Sequence, residues 1–272
     1  MSTATLRGRT VLAVGCGSPD GAVNNGLAAA RALAGAGAAV CVVDRDATAV
    51  DHTLAALPAT PDGRTHTGAL ADVTDSAAVA AAVAHCSQTL GAPDVLHHNV
   101  GIVVNGSVVD LDESAFRAAL DVNVVGAFLV LKHVLPGMIA AGSGRIITVG
   151  SIGGMRWTGY DYPAYAASKA ALAELTASVG LAHAHQGIRA NTIAPGLIET
   201  PLVRSQVARP GQDVDALLAA RHATSPTGRM GTPEDVADLA VFLAGPGSRY
   251  LNATTIPVDG GLVHSTTGTS RT

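Results

Sequence analysis

Buried-strand runs and alanine-rich helical runs alternate along nearly the whole chain, and this alternation is the strongest constraint on its fold. Thr10–Val14, Ala39–Asp44, Asp94–His98, Arg145–Val149, Arg189–Ala194 and Thr254–Val258 are short and rich in apolar or β-branched residues. Ala39–Asp44 is apolar at successive positions and closes on a charge. A strand wetted on one face would alternate polar with apolar, so a continuous apolar run implies cover on both faces. A weaker strand falls near Thr65–Leu70. Gly26–Ala36, Ala47–Leu57, Thr74–Leu90, Glu113–Ala140, Pro163–Ala184 and Pro233–Ala244 have helical composition. Pro58 breaks the second of these, and Thr74 or Asp75 can cap the third. Pro136 and Gly137 disturb the end of the fourth, and Pro233 opens the last at its first turn. About seven strands separated by helices predict an α/β fold: a single Rossmann-type, doubly wound parallel sheet with helices on both faces.

No linker divides residues 1–272, so one domain is expected. The irregular stretch Leu197–Arg229 exceeds an ordinary connection and reads as a lid over residues 197–230, either mobile or a short helical flap. Residues 264–272 form a polar tail.

Composition excludes several classes. The apolar fraction is 48% but only 3% is aromatic, so the core must be small aliphatic side chains, closely packed. A net charge of −4 offers no basic footprint for nucleic acid. Cys16, Cys41 and Cys86 are far apart and form no CxxC, which implies neither a disulfide framework nor zinc. A reducing, cytoplasmic setting is expected, with no signal peptide, because Met1–Thr10 is polar. The longest run free of charged and polar side chains, Ala32–Val43, is too short to span a bilayer, so no membrane partner is expected. Among ten histidines, His97-His98 and His183-x-His185 form no HExxH, and they read as strand-end or helix-surface residues with no metal.

A glycine-rich loop follows the first strand, from Gly15 to Gly26, and a helix follows the loop. Such a turn lets backbone N–H groups approach a pyrophosphate, and the helix N-terminus adds partial positive charge. The second strand ends on Asp44, where an acid accepts hydrogen bonds from ribose hydroxyls and repels a 2′-phosphate. NAD(H) is therefore favoured, with NADP(H) open because Arg45 could accommodate that phosphate.

Further motifs follow in order: His98-Asn99-Val100-Gly101, Asn123 in Asp121-Val122-Asn123-Val124, Ser151 after the fifth strand, and Tyr165-x-x-x-Lys169. Pro195-Gly196-Leu197-Ile198-Glu199-Thr200 and Asp259-Gly260-Gly261 complete the set. From Arg9 to about Val263 the chain resembles a short-chain dehydrogenase/reductase. One departure is the glycine loop, some five residues longer than the family's, with Asn24 where the middle glycine stands. The added residues are expected to bulge over the pyrophosphate, with Asn24 or Asn25 able to substitute for glycine at positive φ.

The resemblance implies a dinucleotide-binding catalytic domain that transfers hydride between nicotinamide C4 and a carbinol or carbonyl carbon. It assigns Asn123, Ser151, Tyr165 and Lys169 to catalysis. Ser151 would bond the substrate oxygen, and Asn123 would hold a water relaying protons from Lys169. Gly15, Asn25, Gly26, Asp44, Arg45, Asp72, Val73, Asn99, Gly101, Tyr165, Lys169, Pro195, Gly196, Ile198 and Thr200 are expected at the cofactor. It also implies a homotetramer, or a homodimer, built on the two long helices.

The residues support the chemistry independently. A tyrosine titrates near pH 10 and needs a nearby cation to act at neutral pH. Tyr165 and Lys169, at i and i+4, share a helical face. Of 17 basic residues only Lys132 and Lys169 are lysine, which suits a compact charge that arginine would not deliver. Tyr162 precedes Lys169 by seven residues, the enoyl-reductase spacing, but Pro163 at the first helical position places Tyr162 outside the helix.

Four of the eight aromatic residues, Trp157, Tyr160, Tyr162 and Tyr165, crowd into one segment. With Val103, Met155 and Leu202 they line the expected substrate site, which suits a small, hydrophobic or cyclic secondary alcohol or ketone. Arg156 could instead select an acidic group. Two alternatives stand: an NADP(H)-dependent 3-oxoacyl-type reductase, and a catalytically impaired nucleotide-binding regulatory protein.

Overall fold

The computed structural model describes residues 5–201 and 214–265. Seven parallel strands form one sheet: β1 (Thr10–Val14), β2 (Ala39–Asp44), β3 (Thr67–Leu70), β4 (Val95–His98), β5 (Gly144–Val149), β6 (Ile188–Pro195) and β7 (Thr255–Val258). Their order is β3-β2-β1-β4-β5-β6-β7. The chain winds outward from β1 in one direction to β3, then returns and winds the other way from β4. The reversal between β1 and β4 opens a crevice at the strands' C-terminal ends, where sheets of this kind bind ligands.

Eight α-helices cover the sheet among the described residues: α1 (Asn25–Gly35), α2 (Ala47–Ala55), α3 (Ser76–Leu90), α4 (Glu113–Leu120), α5 (Gly126–Ala141), α6 (Pro163–Ala182), α7 (Val214–Thr224) and α8 (Pro233–Ala244). Alternate residues of each strand face opposite sides, and both sides are packed. Val11, Ala13, Val40, Val42, Val95, Ile147 and Ile193 meet α1 and α8 through Ala30, Leu33, Val236 and Ala240. Leu12, Val14, Cys41, Val43, Leu96 and Ile146 meet α3 and α5 through Val79, Ala82, Val130, Val134 and Met138. Two dry faces explain the unbroken apolar runs. Ala28, Ala29 and Ala237 fill the α1–α8 contact, where small side chains permit close approach.

Caps set several boundaries. Asp75, one of the two expected caps, accepts from the Ala77 and Ala78 amides at 2.8 and 3.2 Å, so α3 starts at Ser76. Thr232 and Asp235 form a capping box on α8. The long helical stretch differs from expectation. A π turn, Asp121–Val125, separates α4 from α5, and α5 continues through Pro136 to Ala141. Pro136 and Lys132 both lie on the exposed side, so the carbonyl that loses its N–H partner can be solvated. By length and composition alone Glu113–Ala141 could cross a bilayer. Here Val130, Leu131, Val134 and Met138 bury one side of it in the core. The expected lid contains α7, a helical flap, while Leu202 lies outside the described residues, as does most of the polar tail.

Candidate active site

A cleft of about 1250 Å³ runs along the C-terminal edge of the sheet. Gly15, Asn25, Asp44, Arg45, Asp72, Val73, Asn99, Gly101, Pro195, Gly196, Ile198 and Thr200 line it, with Ser151, Tyr165, Lys169, Val103, Tyr160 and Tyr162. Strand ends bring these residues together: β1 delivers Gly15, β2 Asp44, β4 Asn99, β5 Ser151 and β6 Pro195.

At one end Asp44 closes β2, and its carboxylate accepts from the Gly17 and Arg45 amides at 3.0 and 2.8 Å. Gly17 must be glycine, because a Cβ would lie 2.7 Å from that carboxylate. Gly15 has φ +71°, and a Cβ there would overlap the backbone of Val100. The Arg45 side chain is exposed, but its charge also acts on Asp72. Hydrogen bonds from Thr74, then the Arg45 charge, hold the Asp72 carboxyl below its ordinary value.

The lengthened loop behaves differently from expectation. Neither Asn24 nor Asn25 has positive φ. Asn24 instead caps α1, accepting from Leu27 N at 2.8 Å and donating to Gly17 O at 3.1 Å. The loop is anchored on α2: Thr53 donates to Cys16 O at 3.0 Å, and His52 approaches Pro19 O at 3.0 Å. Pro19, Asp20 and Ala22 remain at the cleft wall. Burial pushes the Cys16 thiol up, as suits a packing residue. Gly26 stands apart from the cleft lining; a Cβ there would meet Cys16 and Gly15 at 2.7 Å, so it serves packing of α1 on the loop. Asn25 Oδ1 is buried without a partner at the cleft, an acceptor available to a hydroxyl. These features fit a dinucleotide: an acid for ribose, a helix N-terminus, and an unpaired acceptor on the first residue of that helix.

At the other end β5 leads into a 3₁₀ turn, Ile152–Gly154, with Ser151 as its cap. Ser151 Oγ accepts from Gly153 N at 3.0 Å. Burial pushes Tyr165 above its ordinary value, and the neighbouring Ser151 hydroxyl opposes that shift. Lys169 is only 4% exposed; its Nζ donates to Val149 O at 2.9 Å and stands 5.8 Å from the Tyr165 ring centre. Burial pushes Lys169 down to about 8. Gly101 makes room for it, since a Cβ there would lie 2.7 Å from Nζ.

Asn123, on the π turn, is fully buried below the cleft. Oδ1 accepts from Ile102 N at 2.8 Å, while Nδ2 donates to Ile102 O at 3.0 Å and Ser168 Oγ at 2.8 Å. Ser168 in turn donates to Tyr165 O at 2.8 Å. The side-chain amide of Asn123 thus joins the β4 loop to α6.

The aromatic segment divides. Tyr160 and Tyr162 stack at 5.7 Å, and Tyr162 meets Tyr165 edge-on at 5.3 Å. Tyr162 lies outside α6, and its hydroxyl bonds Thr158. Met155 and Trp157, expected at the substrate, are 44% and 68% exposed and stand outside the cleft lining. Arg156 is also corrected: its Nη1 donates to the carbonyls of Leu262, Val263 and Ser265, so it fastens the C-terminal segment. Sequence reading missed Asn105, Ser107, Asp110, Leu217 and Arg221, which all line the cleft. Arg221 lies on α7, within a stretch that showed no clear period.

His97 and His98 are strand-end residues but not surface ones. Both are buried, and none of their ring nitrogens has a hydrogen-bond partner. Burial pushes His97 down to about 4; burial, Lys169 and His97 push His98 to about 3. Among the described residues no cluster could hold a metal.

A doubly wound sheet whose switch-point cleft runs from an acid at the end of β2 to a Ser-Tyr-Lys cluster defines a nicotinamide-dependent oxidoreductase acting on CH–OH groups. The profile of the family described as enoyl-(acyl carrier protein) reductase matches residues 21–263. The chain is 37% identical to the inactive 2-(S)-hydroxypropyl-CoM dehydrogenase 2 of Xanthobacter autotrophicus, over 86% of this chain and 98% of that protein. It is 38% identical to cis-4-hydroxycyclohexanecarboxylate dehydrogenase of Sinomonas cyclohexanicum, over 87% and 91% respectively. Levodione reductase superposes with a TM-score of 0.89 at 30% identity, covering 96% of this chain and 100% of that one. The chain belongs to the short-chain dehydrogenase/reductase family, whose members use NAD(P).

Proposed function

We propose that this protein is an NAD(H)-dependent oxidoreductase interconverting a hydrophobic or cyclic secondary alcohol with its ketone. The observation that carries this is the joining of Ser151, Tyr165 and Lys169 at one end of a cleft whose other end presents Asp44. A bound nicotinamide supplies or accepts the hydride. The chain holds and moves the proton. Ser151 Oγ and Tyr165 Oη grip the substrate oxygen, and Tyr165 passes its proton to that oxygen in reduction or takes it in oxidation. Tyr165 and Lys169 each resist charge when buried alone, so the Lys169 ammonium beside a forming phenolate relieves both. Asn123 positions the segment that carries Tyr165.

The NAD(H) preference is supported by the Asp44 carboxylate at the end of β2 and by Asp72, which partly neutralises Arg45. A cyclic substrate is supported by the stacked Tyr160 and Tyr162 and by a relative whose name denotes a six-membered ring. The first relative is inactive by name, which favours examining an impaired, regulatory role; here, however, serine, tyrosine and lysine all stand in the cleft. The enoyl-reductase register would use Tyr162, whose hydroxyl is committed to Thr158.

The test is turnover of cyclic alcohols and ketones with each nicotinamide. Tyr165→Phe is expected to lower kcat about 10²–10⁴-fold while still binding dinucleotide in calorimetry. Full turnover by this variant overturns the mechanism.

Phe116 and Phe128, exposed on α4 and α5, support assembly as a homotetramer or dimer through the two long helical stretches, α4–α5 and α6. Three buried free cysteines are consistent with a reducing cytoplasmic location.

A further inference from the structure

Among the described residues, Arg221 is the cation lining this cleft that the chemistry above leaves without a task. It projects from α7 and is 9% exposed. Its Nη1 donates to the Tyr160 hydroxyl, and its guanidinium carbon stands 5.7 Å from the centre of that ring. No carboxylate pairs with it among the described residues, and its Nε–H is buried without an acceptor. Burying a guanidinium without a counter-anion is unfavourable, and an unsatisfied N–H adds to that cost. Nothing about the fold of α7 requires this, since Leu218 supplies the helix's apolar contact with Met230 and Leu197.

The residue's place indicates what would satisfy it. Tyr160 stacks on Tyr162, and Tyr162 meets Tyr165 edge-on, so Arg221 ends a row of rings that begins at the reacting hydroxyl. The Asp44 end of the cleft, where a phosphate of the dinucleotide would be read, lies along other strands. We propose that Arg221 is a specificity residue that binds a carboxylate on the substrate, at the end of the molecule away from its carbinol or ketone. The planar fork of a guanidinium matches a carboxylate through two parallel N–H bonds. The substrate class is then a ring-bearing hydroxy or keto acid. This rests on the alcohol–ketone reading, and it deepens that reading by adding an anion.

The test compares 3- and 4-oxocyclohexanecarboxylate with the matching carboxamides, in the wild-type enzyme, Arg221→Met and Arg221→Lys. Charge-assisted bonds of this kind predict that the wild type favours acid over amide about 10- to 100-fold in kcat/KM. Arg221→Met brings the acid-to-amide ratio near one, chiefly through the KM of the acid, and Arg221→Lys restores part of the preference. A wild-type ratio near one overturns the proposal, as does a ratio unchanged in Arg221→Met. A rise in the KM of the dinucleotide instead of the acid also overturns it. Calorimetry of the acids against the enzyme with NAD separates the two levels. Arg221-dependent binding without turnover upholds the carboxylate site and refutes the alcohol–ketone reading; turnover of the amides with no preference for the acids does the reverse.

Discussion

Lys169 enters the site with no carboxylate partner among the described residues, held by a bond to the Val149 carbonyl and made possible by the missing side chain of Gly101. Its position four residues after Tyr165 was legible in the sequence, and so was its choice over arginine. The space it needs was not legible, because Gly101 comes from another strand end 68 positions away in the chain. Asp44 was equally plain, as the charge that ends an apolar run. Gly17 was not distinguished from its neighbours, although its amide fixes the Asp44 carboxylate. If Asp44 reads the ribose, Asp44→Ala should lower kcat/KM for NAD about 10- to 100-fold and leave NADP less affected, as measured by initial rates with both. Equal losses would remove Asp44 from cofactor choice.

At the scale of elements, period and caps placed most boundaries, since both are local properties. The π turn at Asp121–Val125 escaped because it depends on what lies across from it. Asn123 reaches both the β4 loop and α6, and the wider turn sets its amide between them. Asn123→Ala leaves Ile102 N and Ser168 Oγ short of partners. It is expected to destabilise the protein by about 1–3 kcal/mol in urea unfolding, with kcat reduced through the displaced Tyr165 segment. Unchanged stability would show that these bonds are readily replaced. α7 illustrates a second limit. Only Leu218 and Arg221 are buried on it, so its sequence carries almost no apolar stripe, and its cleft-facing arginine gave no signal.

Across the whole molecule, the two buried histidines make stability depend on acid. His97 and His98 stay neutral in the folded state down to about pH 4 and 3, whereas unfolded histidine takes up a proton near 6.5. The unfolded state therefore binds more protons between pH 6.5 and about 4, and stability falls as pH falls through that window. Between pH 7 and 5 the loss should approach about 2 kcal/mol for each histidine. Urea midpoints across this range measure it, and His98→Asn should flatten the dependence. A profile as steep in that variant as in the wild type would place the acid sensitivity elsewhere.

The sequence by itself determined the parallel sheet, its helical layers and the chemical identity of the tyrosine–lysine pair. Those follow from periodicity, from runs buried on both faces, and from i,i+4 geometry, all of which act within one element. The tertiary structure alone decided which side chains share the cleft. It drew Arg221 in, left Trp157 and Met155 outside, turned Arg156 to the C-terminal carbonyls, and closed both histidines into the core. Each of these outcomes depends on contacts between residues remote in sequence, where burial and the available partners settle what a side chain does.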